Sequence, residues 1–225
     1  MSPKSVISHN ASVNPLKMYR KRLGLTIDQL CYQARVSRSL VIKNEHGAYP
    51  VPSLTLIRFY QKRVPNFSKE ALLVDYRDWQ RHQRTANFGL LTPHFPLGDY
   101  LKELPRGVLP GQRDAAGHTP VGTNDNEPVP HPFEYWRLAS YNQPNLNQIS
   151  KAFCIHQGLL FKFEQQFHLV NSVPIPIASA LIEAGYDQSS LAGLELAFNE
   201  FKQYMRNLSL RVQEDGFIRR ADSTT

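Results

Sequence analysis

The chain sets out the same order of helix starts and stops twice, and this constrains its fold more than any other feature. Asn14–Arg20, NPLKMYR, aligns with His131–Arg137, HPFEYWR. Gln29-Leu30-Cys31 aligns with Gln148-Ile149-Ser150, and Val36 and Ile155 follow six residues on in each copy. Lys43 and Glu45 align with Lys162 and Glu164, PVPSLTLI with PIPIASALI, and YRDWQRHQR with FNEFKQYMR. No single match carries the duplication; their common order does. Any fold must therefore house two similar strings of short helices.

Each copy punctuates its helices with recognisable chemistry. Pro15 suits the first turn of a helix, where its missing N–H has no partner to lose. Gly24 ends that helix by taking a left-handed conformation. Thr26 followed three residues later by Gln29 is a capping box, and Asn145 with Gln148 repeats it. Ser37 caps a third helix from Arg38 to about His46, which Gly47 stops. His156, a poorer cap, holds that place in the second copy. A fourth helix follows Pro52 or Pro176, and a longer amphipathic one spans about 68–84 and 190–206. Leu72, Tyr76 and Trp79 form its apolar stripe in the first copy.

Between the copies, residues 85–132 carry much of the Pro and Gly and read as a linker, with one short helix-like piece at Asp99–Leu104. Its last part, AAGHTPVGTNDNEPVPHP, reads as mobile. The tail LSLRVQEDGFIRR alternates and contains Asp-Gly, which predicts a small β-hairpin. The expected architecture is all-α. It has a flexible arm (1–14), a basic helical domain (15–84), the linker (85–132), a second such domain (133–206) and a tail (207–225). In the arm, Lys4 is a candidate phosphate contact, though disorder is the better expectation.

Charge separates the copies. The net charge is +7, yet residues 1–84 hold 15 Lys and Arg against 5 Asp and Glu, while 133–225 hold 8 against 9. A local basic excess is the footprint of a polyanion-binding surface, or equally of a solvated face. No apolar run approaches the ~20 residues of a membrane span, and the first residues lack the apolar core of a signal peptide. Two cysteines, Cys31 and Cys154, are too few for a disulfide framework, so an intracellular, reducing setting is expected. The eight histidines show no metal spacing with Cys, Asp or Glu, and no phosphate-binding Gly-rich loop occurs. Asp75 and Asp78 share a helix face, where solvation or pairing with nearby arginines is the plainer reading than a metal pair. No enzyme activity, metal or cofactor is expected.

Two short capped helices joined by a tight connection form the helix-turn-helix pattern. The run LKMYRKRLGLTIDQLCYQARVSRSLVIKNEHG resembles the phage-repressor and Cro-like helix-turn-helix family, over about residues 15–62 and, through the internal alignment, 132–184. The resemblance implies two tandem helix-turn-helix domains. It also implies structural ion pairs between Arg20 and Glu45 and between Arg137 and Glu164. The chain departs from the family at Ile27, where Gln is usual, at Arg35, where Gly is usual, and at Asn44, where an apolar residue is usual.

By the same resemblance the third helix enters the DNA major groove. Arg38 and Ser39 take the first base-reading places, with Ile42 and Lys43 one turn on. Arg38 can fork onto guanine, and Ile42 can touch a thymine methyl. Thr26, Arg35, Ser37, His46 and Tyr49 face phosphates, which position without specifying. For Arg38 the bland alternative is a solvated surface arginine; for Ile42 and Tyr49 it is ordinary packing. In the second copy Gln157, Phe161 and Lys162 offer a second reading site, or else a dimerisation or effector surface. Two reading copies would form a pseudo-dimer spanning groove faces about 34 Å apart.

The expected function is a double-stranded DNA-binding transcriptional regulator, such as a repressor, in a bacterial or phage setting and located in the cytoplasm or nucleoid. The alternatives are a plasmid or phage segregation or replication protein on repeated sites, or a protein-interaction adaptor.

Overall fold

Helices begin where caps place them. The computed structural model describes residues 13–102 and 130–222. The arm up to residue 12, Lys4 within it, linker residues 103–129 and the last three residues lie outside the described part. The order is α1 (Pro15–Arg22), α2 (Ile27–Ala34), α3 (Arg38–Glu45), α4 (Leu54–Arg63), α5 (Lys69–Ala86), α6 (Leu97–Lys102), α7 (Pro132–Ala139), α8 (Leu146–Ala152), α9 (Gln157–Gln165), a 3-10 turn (Phe167–Leu169), α10 (Ile175–Ala184) and α11 (Gln188–Asp222). The fold is all-α, with no strand among the described residues. No described helix is long and apolar enough to cross a membrane.

Both capping boxes form: Thr26 and Asn145 each accept the N–H three residues on, and Gln29 and Gln148 reach back to the cap N–H groups. The two copies also share one backbone turn. Arg35 and Cys154 both lie in the left-handed region, at φ 54° and 52°. Each is followed by a residue whose N–H returns to the preceding helix, Val36 to Cys31 O and Ile155 to Ser150 O. A non-glycine side chain pays for this conformation, so its recurrence at aligned positions speaks for duplicated architecture.

The tail corrects the sequence reading. Residues 207–222 continue α11 rather than folding into a hairpin. A two-stranded hairpin alone is marginal in water, whereas an existing helix adds residues without a new nucleation cost. Gly216 lowers helix propensity by only about 1 kcal/mol.

Two compact units form, and they cut across the copies. The first comprises residues 13–90, 144–161 and 175–186; the second takes the other described residues. The stretch 133–206, expected to close on itself, is thus shared between them.

In the first unit Leu16, Leu30, Val41, Leu56, Tyr60, Leu72 and Tyr76 build the core, and Cys154 joins it. Buried polar groups find partners. Tyr60 Oη donates to Leu16 O at 3.1 Å, and Tyr76 Oη lies 3.1 Å from Asn44 O and 3.2 Å from Tyr49 O. Burial pushes both phenol pKa values up. Asn44 is fully buried; its amide donates to Leu40 O and its oxygen accepts the Ser53 N–H at 2.8 Å. That accounts for a polar residue where the resemblance implies an apolar one. Ile27, an apolar residue where the resemblance implies Gln, packs against this core.

Arg84 on α5 donates to Phe153 O at 2.8 Å and pairs with Glu183 on α10. These bonds fasten the end of α8 and α10 to the first copy's helices.

Gly47 stops α3 at φ +74°, and a Cβ there would meet Trp79 Cζ3 at 2.6 Å. Gly47→Ala is expected to cost about 2–3 kcal/mol, from left-handed strain and overpacking together. Urea denaturation would measure it.

The second unit has an aromatic core. Phe133, Trp136, Phe163, Phe198 and Phe201 are buried, with Leu194 beside them in the same unit. Leu91, Phe95 and Tyr100 are buried as well. The first part of the expected linker is therefore core: its Pro steps shape the path of the chain but do not prevent apolar residues between them from packing. Trp136 Nε1 donates to Thr92 O at 2.9 Å. His131 caps α7 by accepting the Phe133 N–H at Nδ1, 3.2 Å away, and its ring stands edge-on to Phe163 at 4.7 Å.

Candidate nucleic-acid interface

The α2–α3 corner starts from its caps. Thr26 and Ser37 spend their hydroxyl oxygens on Gln29 N–H at 3.2 Å and Leu40 N–H at 3.1 Å. Ser37 thereby fixes the first turn of α3, from which Arg38 and Ser39 project exposed.

Arg20 and Glu45 hold α1 to the end of α3. Both are 8 % exposed, and the guanidinium donates through Nε at 2.6 Å and Nη2 at 2.9 Å to the two carboxylate oxygens. Arg20 Nη1 also donates to Leu25 O at 2.9 Å. In the second unit Arg137 donates to Glu164 Oε1 at 2.5 Å, with Glu134 3.6 Å away. Burial raises the Glu164 pKa, against the opposing effect of Arg137.

Arg38, Ser39, Ile42, Lys43 and His46 line one cleft of about 560 Å³. The opposite wall comes from α8 and the start of α9: Asn147, Ser150, Lys151, His156 and Gln157. All belong to the first unit. Three side chains are lysine or arginine, two are histidines and none is a carboxylate. The walls repel each other's protons. Burial first, then Lys151, lowers the His46 pKa, and burial with Lys43 lowers that of His156. His156 Nδ1 accepts the Gly158 N–H at 3.0 Å, so this imidazole caps α9. A Cβ at Gly158 would crowd that ring at 3.0 Å, which gives the helix-weakening glycine a purpose.

Thr26, Arg35, Ser37 and Tyr49 are not part of the cleft lining. Arg35 is exposed at the α2–α3 turn. Tyr49 is half-buried, its ring 5.8 Å from that of His156. Arg38 Nε stands 3.5 Å from Asp28 Oδ1, both side chains largely exposed. Such a pair is worth at most about 1 kcal/mol and is readily exchanged for another acceptor. Phe161 is 48 % exposed and not part of the cleft wall, and Lys162 belongs to the second unit.

Arg38 and Gln157, the aligned residues of the two copies, line this one cleft. Asn147 and Lys151 carry no functional signal in the sequence, Ser150 enters only through the internal alignment and His156 only as a helix cap. Their local pattern marks only helix α8 and its cap, and nothing local says that α8 faces α3 across a cleft. Among the described residues no cluster of three or more His, Cys, Asp or Glu could hold a metal ion.

No protein-family model, curated protein or solved structure matches the chain.

Proposed function

We propose that the protein is a sequence-specific, double-stranded DNA-binding regulator of transcription. In this reading α2 and α3 form a helix-turn-helix with α3 as the recognition helix, and α8 and α9 are its duplicated counterpart. The carrying observation is the cleft: Arg38, Ser39, Ile42 and Lys43 meet there with Lys151 and two histidines, and no carboxylate is part of its lining, Asp28 pairing with Arg38 from outside it. A surface of one sign attracts the phosphate backbone, and an exposed arginine near the start of α3 suits the guanine edge. The excess of Lys and Arg in residues 1–84 supports the same partner.

Selection of binding sites from random DNA by the full chain tests the proposal, followed by titration of Arg38→Ala. The variant should lose about 10- to 100-fold on the selected site and much less on random DNA. Equal affinity of the unmodified protein for selected and random DNA would overturn the reading. So would an Arg38→Ala variant that loses nothing. Log affinity should also fall linearly with log salt, by about 0.9 per phosphate neutralised.

A further inference from the structure

We infer that the second copy does not read a half-site of its own: its α8–α9 corner grips the sugar-phosphate backbone bordering the groove that α3 occupies. The inference rests on the DNA-binding reading above and assigns Asn147, Lys151 and His156 a contact that sequence reasoning did not give them.

The argument is one of dimensions. An α-helix with its side chains is about 10–12 Å across, and the major groove is about 12 Å wide. Inserted α3 therefore fills one groove. The next groove face on the same side of the duplex is about 34 Å away. The α8–α9 corner lines the same 560 Å³ cleft as α3, so it can enter neither. What borders an occupied groove is the phosphate ridge.

The chemistry of the corner agrees. Lys151 and Asn147 are exposed, and His156 is half-buried. These are donors suited to phosphate oxygens, which position without specifying. Burial first, and then a lysine from the opposite wall, lowers the proton affinity of each histidine, Lys151 for His46 and Lys43 for His156; an anion between the walls relieves that second contribution. The corner is also fastened: Arg84 bonds Phe153 O, and Cys154 sits in the first unit's core.

The test compares Lys151→Ala, Lys151→Arg and Gln157→Ala in the full chain, on the selected site and on random DNA. Lys151 is exposed, so its substitution spares the core. Lys151→Ala should weaken binding to both DNAs by the same factor and lower the salt slope by about 0.9. Lys151→Arg should restore both. Gln157→Ala should leave the selected base sequence unchanged, and the footprint should show one contiguous site. Two half-sites one helical turn apart, or a base preference lost with Gln157, would overturn the inference. So would an unchanged salt slope in Lys151→Ala, provided that Arg38→Ala still abolishes specificity. If the unmodified chain bound no DNA selectively, the functional reading itself would fail.

Discussion

Arg20→Ala should destabilise the first unit by about 3–5 kcal/mol, the largest single-residue effect expected in the protein. The guanidinium makes two short bonds to Glu45 and a third to Leu25 O. Its removal leaves a carboxylate that is 8 % exposed with no cation against it, and strips the α1–α2 turn of its donor. The Glu45 hydrogen bond holds the Arg20 pKa above its usual value, so the guanidinium stays charged at any ordinary pH. Most of the loss reflects the stranded charge rather than the net worth of the pair. The double variant Arg20→Met/Glu45→Leu should therefore recover much of it. Denaturant titration of the three proteins reads the difference. A double variant as unstable as Arg20→Ala would show that geometry, not charge burial, dominates.

Acid should unfold the second unit through His131. Burial among aromatic rings pushes its pKa down to about 3. Its Nδ1 must stay unprotonated to cap α7, and its Nε2 has no hydrogen-bond partner among the described residues. The unfolded chain binds the proton near pH 6.5, so between there and about 3 the unfolded state holds more protons. The stability contributed by neutral His131 is complete above pH 6.5 and lost as pH falls, by about 1.4 kcal/mol per unit. At pH 4.5 the loss approaches 3 kcal/mol. His131→Asn keeps a capping acceptor, as Asn14 shows at the aligned position, and removes the titration. It should be less stable than the unmodified protein at pH 7, because the contacts with Phe163, Phe198 and Phe201 shrink. The gap should narrow or invert by pH 4.5. A gap independent of pH would refute the role of His131.

Local chemistry was legible in the sequence because it acts over a few residues. Thr26 with Gln29, Ser37 and Gly47 mark helix ends through bonds and torsions that need no tertiary context. The internal alignment carried Arg137 and Glu164 across by analogy, and they do meet. What escaped depends on contacts far apart in the chain. Leu91, Phe95 and Tyr100 hide between prolines and look like linker, yet they supply core. The alternation in LSLRV predicts a strand only if a partner strand exists, and an adjoining helix extends through it instead. Lys151 has no local signal at all; its place opposite Lys43 follows from how α8 packs.

Arg84 closes the first sequence copy and also bonds into the second. With Cys154 in the same core, residues 144–161 share the interior of the first unit. The first copy is not a portable cassette: excised and fused elsewhere, it would carry α3 but leave behind one wall of the cleft and part of its own interior. The unit that holds α3 is thus built from three separate stretches of the chain, 13–90, 144–161 and 175–186, and α3 cannot be moved without all three.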